Sequence, residues 1–235
     1  MTEKLFYEDS HRTEFTAKVI SCEEAKDGFC VVLDQTDNSP HTHQLQNGVI
    51  VHSELLLNYL QKNYPDLYLI SSTTKVLTDF QDFLTEINRE DFRYIVPDFR
   101  LNKVFDKLDL MSQHQKDKVE FLCNECCWFG CRDRKACYET VSRKNLGENC
   151  PEHYCKAPEG ERGYLFSKAM ENPGFIGSND ILDIYLPMGF SNFKIEGRGL
   201  GSALILEFLL YYMTRPEYQI HVREKIYLDS MLDLF

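Results

Sequence analysis

The sequence predicts an α/β fold: a parallel sheet with helices outside it. Three observations carry that expectation. From residue 48 onward, short apolar runs alternate with stretches whose apolar residues recur at helical spacing. The runs are bounded by turn formers such as Pro65-Asp66. Polar residues collect just past the carboxyl ends of the runs, where open parallel sheets place their working groups.

The 235 residues are 43% hydrophobic, enough for a full core. Lys and Arg number 26 against 37 Asp and Glu, a net charge of −11, which excludes a broad phosphate-binding surface. The longest apolar run, residues 203–213, is interrupted by Glu207 and too short to span a bilayer. Met1 is followed by Thr-Glu-Lys, not by a secretory leader, so a cytoplasmic location is expected.

Taken in order, residues 14–21 and 28–34 read as strands joined by a polar turn, a β-hairpin. Leu5-Phe-Tyr-Glu-Asp-Ser, Thr13-Glu-Phe-Thr-Ala-Lys-Val and Val31-Val-Leu-Asp-Gln-Thr36 resemble the opening of the alanyl-tRNA editing domain family. Asp37-Asn-Ser-Pro-His-Thr-His-Gln44 then departs from that family's glycine-rich turn, and its His-x3-His and Cys-x3-His motifs are missing. The resemblance therefore implies a hairpin and not the activity. His41 and His43 read as part of a solvated turn.

Strands are expected at 49–51, 67–71, 94–96, 119–122 and 193–195. Between them, helices are expected at 53–64 (Leu56, Leu57, Leu60 and Tyr64 on the apolar side), 76–87 (Leu77, Phe80, Phe83 and Leu84), 104–116 and 180–185, with a long helix from Ser202. Residues 1–47 thus form a hairpin and linker. Residues 48–235 form the α/β unit, with a cysteine-rich insertion at 123–155.

Seven of the nine cysteines fall in that insertion, just past an apolar run. Reduced, partly buried thiols account for one or two. Seven within 35 positions point instead to a thiolate cage for iron–sulfur or zinc, with Cys127-x3-Cys131 as one arm and Cys150-x4-Cys155 as the other. The arms meet only if residues 132–149 fold back over the strand end. Past the other strands, Pro97-Asp-Phe-Arg and Lys194-Ile-Glu-Gly-Arg each set a carboxylate and a guanidinium two residues apart. Asp98, Arg100, Glu125, Glu196 and Arg198 are the candidate catalytic residues, with salt bridges closing the rim as the plain alternative.

Two segments carry a wider resemblance. Residues 181–198, through Pro187-Met-Gly-Phe-Ser to Phe193-Lys-Ile-Glu-Gly-Arg198, and Asn124-Glu-Cys-Cys-Trp-Phe-Gly-Cys131 with Arg134 resemble the peptidase U32 family, over roughly residues 48–235. The resemblance implies a TIM-type barrel with a four-cysteine 4Fe-4S cluster, and oxygen-independent hydroxylation of a quinone ring, an RNA base or another small molecule. It matches Cys127 and Cys131 to the first cysteine pair, and Cys150 and Cys155 are assigned to the second, leaving Cys123, Cys126 and Cys137 as spares. Glu196 and Arg198 match a rim pair that positions substrate and neutralises its charge. Five strands are countable where a closed barrel needs eight. An incomplete barrel is therefore expected, its bare edge covered by the N-terminal hairpin or by a second chain, in a homo-oligomer or with a partner. The alternatives to a U32-like modifying enzyme are a metal-stabilised, non-catalytic binding or assembly module or a truncated fusion product, and, third, an editing-related protein.

Overall fold

The computed structural model describes residues 32–33, 47–158, 164–197 and 201–232, and it is a mixed α/β structure. Strand β1 (Val32–Leu33) pairs antiparallel with β2 (Asn47–Val51). Then β2 pairs in parallel with β3 (Tyr68–Ser71), setting Gly48 opposite Tyr68 and Val51 opposite Ser71, and β3 pairs in parallel with β4 (Tyr94–Ile95). A second ladder joins β5 (Glu120–Leu122) to β6 (Asn192–Lys194), again in parallel. One parallel bridge, Ile95 to Val119, connects the two ladders. Strands β2 to β6 therefore run parallel in chain order, and among the described residues they do not close into a barrel.

The editing-like hairpin at 14–34 lies outside the described residues except for β1, as do His41, His43 and Arg198. What is described of the N-terminal segment is β1, which covers the outer edge of β2.

The helices begin where capping chemistry starts them. Helix α1 (Glu54–Asn63) opens on Ser53, whose side chain accepts from the Leu56 N–H, and it buries Leu56, Leu57 and Leu60. Tyr64, expected on that apolar side, is instead exposed just past the helix end. Helix α2 (Phe80–Ile87) starts later than expected: Val76 takes a left-handed conformation after a 3₁₀ turn at Thr73–Lys75, and the Asp79 carboxylate caps the Gln81 and Asp82 N–H groups. The expected helix at 104–116 is two helices, α3 (Phe105–Leu108) and α4 (Gln113–Lys118). A capping box explains the break, since Ser112 Oγ accepts from the Gln115 N–H while Gln115 Oε1 accepts from the Ser112 N–H.

Helix α5 (Arg134–Asn145) fills the cysteine-rich insertion, and α6 (Phe166–Met170) follows it. Helix α7 (Ser178–Asp180) widens into a π-helical turn at Ile181–Tyr185. After β6 come α8 (Ser202–Met213) and α9 (Gln219–Leu232). Sequence periodicity missed α5 for a physical reason: it buries Arg134 and Ser142 and presents no apolar stripe.

Strand alternation divides the core. Val49, Val51, Leu69, Ile95 and Phe121 pack with Leu56, Leu60, Phe83 and Ile87 of the helices, while Ile50, Tyr68, Ile70, Val96 and Leu122 form a smaller cluster. Phe121 is the hub of the second ladder. Its ring lies 5.0 Å from those of Tyr185 and Phe190, both edge-on, and stacks on Phe193 at 6.3 Å. Phe121→Ala is expected to lower stability by about 3–5 kcal/mol in chemical denaturation, because those rings fix the walls of the void it leaves.

Candidate functional site

The residues that follow β4, β5 and β6 converge on one place. Asp98 is fully buried one turn past β4. Its Oδ1 accepts from the Arg100 main-chain N–H at 3.1 Å and from Arg100 Nε at 2.6 Å, and its Oδ2 accepts from Arg100 Nη2 at 3.0 Å. With its fork fixed, Arg100 donates through Nη1 to the Cys131 carbonyl at 2.6 Å. The strand end thereby holds the cysteine loop by its main chain.

Arg134, the first residue of α5, is the centre of the cluster. Its side chain is 3% exposed, and Nη2 donates to Glu125 Oε2 and, at 2.6 Å, to the Tyr138 hydroxyl. Nε lies 3.8 Å from Asp98 Oδ2. The guanidinium stacks 4.7 Å over the Phe99 ring and 5.2 Å from that of Tyr138. Gly174 lies against the Phe99 main chain, where a Cβ would stand 2.5 Å from the Phe99 carbonyl oxygen. Among the described residues, Nε and Nη1 nevertheless lack hydrogen-bond partners. A buried charged donor left this way costs on the order of 1–3 kcal/mol or more, which marks the position as one built for something besides stability.

Glu125 accepts through Oε1 from the Cys127 N–H at 2.8 Å. The Glu196 carboxyl stands beside that of Glu125. Burial, then the neighbouring Glu125 charge, raises the Glu196 pKa well above the ordinary carboxylate range. Glu196 is set there by main chain: its N–H donates to Asn124 Oδ1 at 2.6 Å, and its carbonyl accepts from Asn124 Nδ2 at 3.0 Å. Its Oε2 is buried without a hydrogen-bond partner among the described residues.

Beside this cluster lies a cavity of about 610 Å³. Glu125, Glu196 and Arg134 form part of its wall, with Cys127, Cys131, Cys137 and Cys155. Burial pushes the Cys127 thiol up to about 12 despite the Arg134 charge nearby. Asn172 Nδ2 donates to the Cys127 carbonyl at 2.8 Å, so both Cys127 and Cys131 are held by their backbones. Among the described residues, no three Cys, His, Asp or Glu side chains are gathered closely enough to hold an ion without rearrangement.

Helix α5 supplies the expected fold-back of residues 132–149. It brings Cys155 to the cavity but not Cys150, which is outside the lining, with Sγ 3.9 Å from the Thr140 carbonyl. Cys137 occupies the wall instead, while Cys123 is buried with Sγ 3.6 Å from the Phe121 carbonyl. Of the candidate catalytic residues, Glu125 and Glu196 line the cavity, and Asp98 and Arg100 stand behind it as an ion pair. The polar residues after β3 serve elsewhere: Ser71 Oγ and Lys75 Nζ each donate to Glu86 Oε1 at 2.6 Å, pinning α2. Sequence reasoning gave Arg134 and Tyr138 no role. Their i,i+4 spacing, which puts a cation and an aromatic ring on one helix face directly after the cysteine run, was the available signal.

Glu196 makes stability depend on pH with a definite sign. An acid whose folded pKa is raised contributes stability that is present below its unfolded pKa, about 4.3, and is lost as pH rises toward its folded value. Glu196→Gln, which stays neutral, is therefore expected to match the parent near pH 4 and to exceed it progressively toward pH 8, by at most about 1.4 kcal/mol per pH unit. Urea denaturation across that range measures it, and a difference independent of pH would mean that Glu196 is ionised in the fold. No protein-family model, curated protein or solved structure matches this chain, so the chemistry of the site rests on its own residues.

Proposed function

We propose that this is a U32-like protein, an incomplete TIM-type barrel that holds a cysteine-bound iron–sulfur cluster, or zinc in its place, and that acts as or derives from an oxygen-independent hydroxylase or related modifying enzyme. One observation carries the reading: Cys127, Cys131, Cys137 and Cys155 line a single cavity beside Glu125 and Glu196 at the carboxyl ends of parallel strands. Four thiols are a donor set that suits iron–sulfur or zinc, and the U32 resemblance favours the cluster. The ligands would be Cys127 and Cys131 from the loop after β5, Cys137 from α5, and Cys155. When bound, a cluster supplies one-electron or Lewis-acid chemistry at the cavity.

The protein's own groups prepare that place. Glu125, Asn172 and Arg100 hold the Cys127–Cys131 loop through its main chain, the outer support on which ligand orientation depends. The segment carrying Cys155 is fastened by exposed ion pairs, Lys144–Glu152 at 2.6 Å and Lys156–Asp133 at 2.7 Å. Such pairs contribute about 0–1 kcal/mol each, so a shared metal is a stronger reason for that segment to order.

The test is anaerobic purification followed by iron, sulfide and zinc analysis and visible absorption. Stoichiometric iron and sulfide are expected in the parent, lost in Cys127→Ala and Cys137→Ala and retained in Cys150→Ala. Because burial keeps the Cys127 thiol protonated, metal uptake releases protons and weakens as pH falls. Stoichiometric zinc without iron makes the site a structural one, favouring the non-catalytic module. A parent that holds no metal after anaerobic reconstitution sinks both versions.

A further inference from the structure

The loop after β5 sets two thiols side by side through its own hydrogen bonds. The Cys131 N–H donates to the Trp128 carbonyl at 2.9 Å, closing a turn. Gly130 lies inside that turn against the Trp128 ring, where a Cβ would stand 2.8 Å from a ring carbon. The chain is thereby folded back on itself, and the Cys131 thiol stands beside that of Cys127. Both residues are half-buried and line the cavity, within reach of a small solute.

This placement is built into the fold. The Cys127 N–H donates to Glu125 Oε1 and its carbonyl accepts from Asn172 Nδ2, both at 2.8 Å, while the Cys131 carbonyl accepts from Arg100 Nη1 at 2.6 Å. Asp98 in turn fixes the Arg100 fork. Thiols held as neighbours react with each other readily, because the loop between them is already closed and little chain entropy is left to lose. A bond across so short a loop also constrains the unfolded chain little, so it stays easy to reduce. The other cysteines are differently placed. Cys126 is outside the cavity lining, Cys150 Sγ lies against the Thr140 carbonyl, and Cys123 is buried. Cys137 and Cys155 share the wall, on separate segments.

We propose that Cys127 and Cys131 are a redox-active dithiol, which a low-molecular-weight disulfide converts to an intramolecular disulfide. One cysteine sulfur attacks the S–S bond of the solute, forming a mixed disulfide and releasing one half as a thiol. The second cysteine sulfur displaces the other half and forms the Sγ–Sγ bond. The cysteines lose two electrons, the solute is reduced to two thiols, and the two cysteine protons end on those thiols. The bond withdraws two of the four donors from the thiolate site, so oxidation closes that site to metal. This consequence rests on the thiolate-site reading, whereas the disulfide itself does not.

Oxidised glutathione is the probe, applied to the full chain after anaerobic purification, treatment with EDTA and dithiothreitol, and desalting. Remaining thiols are blocked with N-ethylmaleimide, and links are mapped by peptide mass spectrometry. The Cys127–Cys131 link is expected to form in preference to any other, to reopen with dithiothreitol and to persist in Cys150→Ala. In Cys131→Ser, Cys127 should stop at the mixed disulfide with glutathione. The mapping on the parent needs no variant to fold. Cys127 linked chiefly to Cys126, Cys137 or Cys155 overturns the proposal, and so does a Cys127 thiol left free in excess oxidised glutathione. Metal analysis of the same preparation separates the two readings. A link that forms in protein whose reduced state cannot be loaded with metal rejects the thiolate site alone, while loadable protein whose stripped form shows no link rejects the dithiol alone.

Discussion

The buried pairing of Asp98 and Arg100 with Arg134 and Glu125 is the interaction on which the rest of the site depends. It joins three parts of the chain that share no hydrogen-bonded ladder: the turn after β4, the loop after β5 and the start of α5. Burying Asp98, Glu125 and Arg134 beside a half-buried Arg100 is expensive, and such clusters seldom add net stability compared with apolar packing. What this one supplies is position. Each carboxylate is engaged by a guanidinium, and Glu125 Oε1 and Arg100 Nη1 reach the main chain of Cys127 and Cys131. Removing one member would strand its partners, so the cysteine loop and the sheet edge stand or fall together.

Much of the fold was legible because parallel strands buried on both faces leave continuous apolar runs. All five runs read from residue 48 onward coincide with β2 to β6, within a residue or two at their ends. Helices with an apolar stripe, such as α1, were legible too, although their boundaries followed capping residues more closely than periodicity. Helix α5 was not, since its buried side chains are an arginine and a serine. The split between α3 and α4 turned on one capping box that a periodicity reading passes over.

The site was legible to a lesser degree. Position after a strand end drew attention to Glu125 and Glu196, which line the cavity, and to Asp98 and Arg100, which form an ion pair outside its lining. Cysteine spacing cannot reveal which thiols share a space, because that depends on where an intervening helix turns. Helix α5 puts Cys137 on the cavity wall and leaves Cys150 against its own backbone. Arg134 stands in the motif without an assigned task, yet it is bonded to Glu125 and Tyr138 and lies 3.8 Å from Asp98.

The single bridge between Ile95 and Val119 has a mechanical meaning. A seam with so little backbone pairing is held by side chains: Asn102 Nδ2 reaches the Leu122 and Gly174 carbonyls, and Lys118 Nζ reaches the Ile87 and Arg89 carbonyls from the other side. The charged cluster crosses this same seam, with Asp98 and Arg100 on the β4 side and Glu125 and Arg134 on the β5 side, where the cavity lies. Any occupant that binds the folded chain alone adds its binding free energy to that of folding, and here it would reach the seam through Arg134, which lines the cavity and faces Asp98 across it. Occupancy and the integrity of the two half-sheets are then one equilibrium, read as readily from the chain's resistance to unfolding as from the occupant itself.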